Sequence, residues 1–180
     1  MSRLAVYALL AVGVVFGAGC KSDVLAPNIS DNERQQARFD WNHDQFLLHE
    51  NQQGILHGEG SPRELYETEL QLADLEWRLG RLPFPDWHTR RRDSLVRLRD
   101  WLQGQRKSGG TTQLEIDRAG LRVQKERHAL GEIGAGTWDR ALADFRARLA
   151  EHARTSASSP GAAAGAEAAA MQQLDQELGS

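Results

Sequence analysis

The 180-residue chain has few cysteines, little net charge and no long apolar run, three features that define common classes of protein. It has one cysteine, which excludes an internal disulfide framework and a cysteine-rich zinc finger. Its formal net charge is only −3, so it gives no overall basic signal for nucleic-acid binding. Its longest uncharged run, Leu4 to Cys20, has 17 residues, fewer than the roughly 20 that a membrane-spanning helix needs. The composition of the whole chain, 40% hydrophobic and 26% charged, is typical of one globular domain.

Motifs that identify an enzyme are also missing. The sequence contains no G-x-S-x-G nucleophile motif, no phosphate-cradling glycine loop and no C-x-x-C-H haem attachment site. No pair of carboxylates stands in an apolar setting that would separate their pKa values. We therefore predict that the protein is not an enzyme and takes no cofactor.

The first 20 residues have the layout of a secretory signal peptide. One positive charge at Arg3 precedes 13 uncharged residues from Leu4 to Phe16, and three small residues follow. The only cysteine, Cys20, comes next, and a cysteine placed at random would fall there once in 180 trials. The position of Cys20 therefore indicates a processing site.

The segment Ala18-Gly19-Cys20 resembles the lipobox of bacterial lipoproteins. The resemblance implies that the Cys20 thiol receives a diacylglycerol, that a peptidase cuts between Gly19 and Cys20, and that a fatty acid such as palmitate acylates the new amino group. A cysteine is needed because its thiolate is the nucleophile that takes the lipid. Lys21, where aspartate would mark retention at the inner membrane, implies transfer to the outer membrane of a double-membraned bacterium.

One position departs from the lipobox pattern, because Gly17 stands where the family usually has leucine. Small residues at 17 and 19 also suit the ordinary signal peptidase, which would leave a soluble periplasmic or secreted protein with a free thiol. An uncleaved anchor is a third alternative. All three place the remaining chain across the membrane. We predict a signal peptide at 1–19 and a lipidated cysteine with its tether at 20–30.

Residues 31–154 are predicted to form an all-α bundle of about five helices, since no stretch alternates β-branched and polar residues. Two helix starts carry a capping box, Ser61 with Glu64 and Thr112 with Glu115. Glycine- and proline-rich stretches separate the helices and favour antiparallel neighbours. The predicted helices begin near positions 31, 62, 86, 113 and 137.

The first helix is apolar on two sides. Trp41 and Leu48 lie together, and Phe39 and Phe46 lie roughly opposite them at 100° per residue. Such a helix is either central in the bundle or presents one face to a partner.

The tail, residues 155–180, is rich in alanine, glycine and serine and is predicted to be flexible. Met171, Leu174 and Leu178 fall in line within it. A short helix that docks onto the domain or a partner is therefore the alternative, although such a helix is marginal alone.

The two halves of the domain carry opposite charge. Residues 23–78 hold 12 acids and 4 bases, whereas residues 81–154 hold 10 acids and 16 bases. This pattern favours surface ion pairs between acidic and basic helices. The alternative is a patch for an anionic partner, such as lipid phosphate, formed by Arg90, Arg91, Arg92, Arg97 and Arg99.

The histidines do not indicate a metal site. His43, His49 and His57 share the first predicted helix, but His43 and His57 lie about 21 Å apart along it. A metal needs three or four ligands that converge on one point. No metal site is predicted.

Together these features predict an outer-membrane lipoprotein that faces the periplasm and has a structural, scaffolding or protein-interaction role. Its partners would be the membrane, through the lipid anchor, and a protein, with no role for nucleic acid. The alternative is a soluble or anchored periplasmic protein of helical type that binds a small ligand or senses a metal.

Overall fold

The computed structural model describes residues 27–156 and 168–176. Every regular element within these ranges is a helix, which confirms the predicted all-α fold. In chain order the helices are α1 (Asp31–Leu56), α2 (Pro62–Arg78), α3 (Phe84–Arg106), α4 (Gln113–Ala129), α5 (Ala135–Ser156) and α6 (168–176).

Two capping boxes begin helices, but one of the two predicted boxes is wrong. Thr112 and Glu115 exchange the predicted bonds at the start of α4, and Ser30 with Glu33 does the same for α1. The Ser61 side chain makes no cap hydrogen bond. Its ψ angle is 118°, against 158° at Thr112. The backbone of Ser61 is thus rotated by 40° from the conformation in which Thr112 caps its helix.

The connection between α2 and α3 is shorter than the predicted start of α3 implies. Helix α2 ends at Arg78, and Gly80, at a φ of 68°, donates its amide to the Trp77 carbonyl. Glycine adopts this left-handed conformation without steric cost. Helix α3 begins at Phe84, two residues before the predicted start, because Pro83 serves as its N-cap and Pro85 fits in its first turn.

Helices α2, α3 and α4 form the central core. Leu70, Leu95 and Val123, one from each helix, pack in one buried cluster. A second cluster joins α3 to α4 further along the bundle and includes Leu98, Leu102, Ile116 and Ala119. Helix α1 packs against α2, and α5 packs against α4. Each helix therefore contacts chiefly its neighbours in the sequence.

Helix α6 folds back onto the outer side of the bundle. Leu174 is 1% exposed and packs with Leu121, Phe145 and Leu149. Arg146 on α5 also pairs with Asp175 at 2.7 Å. For residues 168–176 the structure therefore shows docking, the second of the two alternatives for the tail. Residues 157–167 and 177–180, including Leu178, lie outside the described residues.

Candidate functional site

A buried charged network connects the three central helices. The Glu126 side chain on α4 is 1% exposed and accepts hydrogen bonds from two residues of α3. His88 Nδ1 lies 2.5 Å from Glu126 Oε2, and Arg91 Nε lies 2.9 Å from Glu126 Oε1. Arg91 also donates to Asp74 on α2, and Trp87 Nε1 donates to the same carboxylate at 2.7 Å. One arginine thus bridges carboxylates on both flanking helices.

The network keeps Glu126 ionised. Burial by itself would raise the pKa of the Glu126 carboxyl, because it disfavours the charged form. The hydrogen bond from His88 and the charge and hydrogen bond of Arg91 outweigh burial, so the pKa lies below its ordinary value. Both carboxylate oxygens are occupied and the side chain is closed to solvent. Glu126 is therefore a structural link between helices and is not placed to meet a substrate.

Aromatic rings surround the α3 end of this network. Trp77 and Trp87 stack with their ring centroids 5.1 Å apart and their planes 6° from parallel. Phe84 meets the His88 ring edge-on at 4.3 Å. Stacked and edge-on rings restrict one another, so the Trp87 indole is held where its N–H reaches Asp74.

A groove of about 750 Å³ lies over the network. It is bounded by α2, α3 and α4 and by Pro27 and Ile29, which precede α1. Trp77 and Trp87 contribute its aromatic lining, and among the described residues its two acids are Asp74 and Glu126. We call it the cationic groove, after the six basic residues that line it: Arg63, Arg78, Arg91, Arg118, Arg122 and Lys125.

The described lining of the cationic groove holds six bases and two acids, and one of the bases, Arg63, is paired with Glu67 and Glu115 beside the groove. Helix α4 supplies three of the bases, Arg118, Arg122 and Lys125, at spacings of four and three residues that place them on one helical face. Burial lowers the pKa of Lys125, and the charges of Arg91 and Arg122 lower it further against the opposing effect of Glu126. The positive charges are therefore close enough to repel one another.

The five arginines of the predicted anionic-partner patch are spread over several ion pairs. Arg90 pairs with Glu76 and Arg97 pairs with Glu69, each at 2.5 Å, so α3 bases meet α2 acids. Arg91 belongs to the buried network and alone of the five lines the cationic groove. The remaining two bind neighbouring acids, Arg92 with Asp93 and Glu132 and Arg99 with Asp100. This geometry favours the ion-pair alternative for these residues.

The three histidines of the first predicted helix stay apart from one another. His43, His49 and His57 are all exposed, and no group of three potential ligands lies together anywhere in residues 27–156 and 168–176. His128 stacks on Trp138, with parallel rings 6.1 Å apart, whereas His152 is exposed on α5.

The second apolar face of α1 is open to solvent. Phe39 is 69% exposed and Phe46 is 58% exposed, and they lie opposite the side that packs on α2. On the packed side Ala37 is buried, and Trp41 donates to Glu76 at 3.4 Å. Helix α1 is therefore peripheral, so the alternative of a central helix is wrong, and the use of its open face by a partner stays a prediction.

The predicted lipidation and cleavage residues, Cys20 and Gly19, lie outside the described residues, as does the whole predicted signal peptide. Among the helices that the structure describes, none is long and apolar enough to cross a membrane. The anchor therefore remains a prediction from the sequence.

Several residues of the network and the groove escaped the sequence analysis. His88 looked isolated because its partner Glu126 is 38 residues away. The three α4 bases have spacings of four and three residues, which predict one shared helical face from the sequence alone. Phe84 and Trp87, which stand beside Pro83 and Pro85, are both partly exposed.

No protein-family model, curated protein or solved structure matches this chain. Its function is therefore argued from its own residues and geometry.

Proposed function

We propose that the protein is an outer-membrane lipoprotein, anchored through Cys20, whose helical domain faces the periplasm and binds a protein partner. The observation that carries the interaction role is the exposed phenylalanine pair on the outer side of α1. The anchor is supported by the sequence alone, through the apolar run and the small residues before Cys20.

The phenylalanine pair has the geometry of a docking face. Phe39 and Phe46 are seven residues apart, which places them about 10.5 Å from each other along one side of the helix. Scattered exposed apolar residues are ordinary on a protein surface, but two large aligned rings form a patch. Aromatic rings also contribute much of the binding energy of protein interfaces.

The charge around this face favours a protein over a lipid surface as its partner. Helix α1 contains five acids and only two bases. Phosphate-rich membrane surfaces repel such a helix, whereas basic residues around an apolar groove would complement it. We therefore expect a partner whose groove is apolar at its centre and basic at its rim.

The anchor would keep the domain close to the membrane. Residues 21–30 precede α1, and ten residues reach at most about 35 Å when extended. Two or more acyl chains on Cys20 would hold the protein stably, whereas one chain holds a protein only marginally.

The anchor is tested by expressing the full chain and Cys20→Ala in a double-membraned bacterium. We expect the mass of the mature wild-type N-terminus to show an acylated Cys20 and the protein to fractionate with the outer membrane. The Cys20→Ala chain should lack the acyl mass and leave that fraction. A mature chain that begins with unmodified Cys20 and is free in the periplasm would contradict the anchor.

The docking face is tested by placing a photo-crosslinking amino acid at Phe46 in the full chain. A matched position is Arg140, which is exposed on α5 and belongs to no apolar patch. We expect position 46 to yield one discrete adduct in cells, which disappears when Phe39 is changed to serine. Equal labelling of many proteins from both positions would contradict a docking face.

A further inference from the structure

We propose that the amine of Lys125 is a covalent binding site for small aromatic aldehydes that enter the cationic groove. The amine nitrogen forms a bond to the aldehyde carbon, and the carbonyl oxygen leaves as water with both amine protons. The product is an imine, and its formation needs no oxidant or reductant. This site goes beyond the proposed interaction role and depends neither on the lipid anchor nor on the phenylalanine face of α1.

Lys125 is the one residue of the described groove lining that can supply a neutral amine. The other five bases there are arginines, which keep their proton in proteins. A lysine amine can lose its proton, and in that form it attacks carbonyl carbons. The whole chain has 19 arginines and three lysines, and Lys107, the other lysine in the described ranges, lies outside this groove.

The contacts of Lys125 leave its amine available. In the part of the chain that the structure describes, no hydrogen bond or ion pair joins this amine to another side chain. The next residue, Glu126, bonds to His88 and Arg91 through its two oxygens. The nearest carboxylate in the sequence is therefore committed to α3 and does not hold the amine.

The surroundings of Lys125 favour its neutral form. Burial lowers the pKa of its amine, Arg91 and Arg122 act in the same direction, and Glu126 and Asp74 act against them. The other charged side chains that line the groove are Arg63, Arg78 and Arg118. Because the net effect lowers the pKa, a larger fraction of Lys125 than of an ordinary lysine is neutral near pH 7.

The shape and the lining of the groove suit an aromatic ring. Its volume of about 750 Å³ falls within the roughly 300–1,000 Å³ of small-molecule sites. Trp77 and Trp87 line it with their rings stacked 5.1 Å apart, and a flat ring packs well against such indoles. An uncharged aldehyde needs no unpaired cation, so the ion pairs of Arg63 are left intact.

The test treats the mature full-length protein with benzaldehyde at about pH 7 and traps the imine with cyanoborohydride. Peptide mass spectrometry then gives the rate of benzylation at each lysine, with the exposed Lys107 as the internal reference. We expect Lys125 to react about tenfold faster than Lys107, because the groove holds the aldehyde beside a more neutral amine. The rate at Lys125 should also saturate with benzaldehyde, whereas the rate at Lys107 stays proportional to it. Equal rates at the two lysines would overturn the site.

Two small molecules test recognition of the ring without any mutation. Benzyl alcohol has the same ring but no carbonyl group, so it should slow the reaction of Lys125 and leave Lys107 unchanged. Acetaldehyde has the carbonyl but no ring, so the preference for Lys125 should fall about fivefold. An unchanged preference with acetaldehyde, together with no effect of benzyl alcohol, would overturn the assignment to aromatic aldehydes.

A matched pair of variants tests the amine itself. Lys125→Arg keeps the positive charge and removes the nucleophile, so the fast phase of benzyl incorporation into the whole protein should disappear. Lys107→Arg makes the same change outside the groove and should keep that phase. A fast phase that persists in Lys125→Arg would overturn the assignment to Lys125. If Lys125→Arg loses its helical circular-dichroism signal, the effect of benzyl alcohol on the wild-type protein still decides the question.

Discussion

His88 Nδ1 and Glu126 Oε2 lie 2.5 Å apart within the core, and this contact joins the second turn of α3 to the last turn of α4. Arg91, one turn further along α3, holds the other oxygen of the same carboxylate. A buried carboxylate with two partners on one helix fixes both the distance and the register between α3 and α4. Such a contact is costly to break, because it leaves a charge without compensation.

The first prediction is that Glu126→Gln destabilises the protein by about 3–5 kcal/mol, the range for breaking a buried ion pair. The amide keeps the volume of the side chain but removes the charge that His88 and Arg91 meet. The measurement is the free energy of unfolding in urea, followed by circular dichroism. The matched control is Glu132→Gln, whose pairs with Arg92 and Arg127 are more exposed and which should change stability by less than about 1 kcal/mol. Equal losses in the two variants would contradict a special role for the buried pair.

The second prediction concerns acid. Because the pKa of Glu126 is lower in the folded protein than its ordinary value, its contribution is fully present above the ordinary carboxyl range. That contribution is lost as the pH falls through the folded pKa. Hydrogen bonds from Thr112 and Thr111 similarly lower the pKa of Glu115 to about 2.

Urea unfolding from pH 7 down to about pH 2 should therefore show the stability gap between wild type and Glu126→Gln narrowing only below about pH 5. A stability gap that already narrows between pH 7 and pH 5 would mean that a group other than Glu126 causes the pH dependence. Glu132→Gln provides the reference for the general effect of acid on exposed pairs.

The third prediction separates the two helix starts that look alike in the sequence. Thr112→Ala should cost about 1 kcal/mol, because its hydroxyl accepts the Glu115 amide at 3.3 Å. Ser61→Ala should cost little, because the Ser61 side chain makes no cap bond. The two variants remove the same hydroxyl chemistry, so urea unfolding compares them directly. A similar loss of stability at both positions would contradict the assigned difference in capping between Ser61 and Thr112.

These cases show what the sequence could and could not predict. Local signals located all five main helices, because glycines, prolines and capping residues act within a few positions of the helix ends. The capping box at Ser61 failed because the pattern fixes residue types and not the ψ angle of the first residue. The opposite charges of the two halves predicted ion pairs between α2 and α3, which Arg90–Glu76 and Arg97–Glu69 form.

Contacts between residues that are far apart in the chain could not be predicted from the sequence. The sequence gives no reason for His88 to meet Glu126 or for Arg91 alone of three adjacent arginines to turn inward. These choices depend on how α3 is rotated against α4, which the packing of the whole core decides. The cationic groove has the same origin, because its six bases come from three helices. The docking of α6 likewise depends on the cavity that α4 and α5 provide.

The fourth prediction addresses that docking. Leu174→Ala should release α6, because Leu174 is its one fully buried side chain among the described residues and lies between Leu121, Phe145 and Leu149. A helix this short is not stable in water by itself, so releasing it should also unfold it. The stability loss should be smaller than the 2–5 kcal/mol of a central leucine, since it cannot exceed the free energy of docking.

Limited digestion with elastase, which cuts after small residues, measures the release, since the tail is rich in alanine. Cleavage within 168–176 should be much faster in Leu174→Ala than in wild type, while α1–α5 stay intact. Gln172→Ala, an exposed change on the same helix, should leave the rate unchanged. If elastase cleaves Leu174→Ala no faster than Gln172→Ala, the ion pair between Arg146 and Asp175 would have to hold α6 instead. Arg146→Gln would then be the variant that releases it.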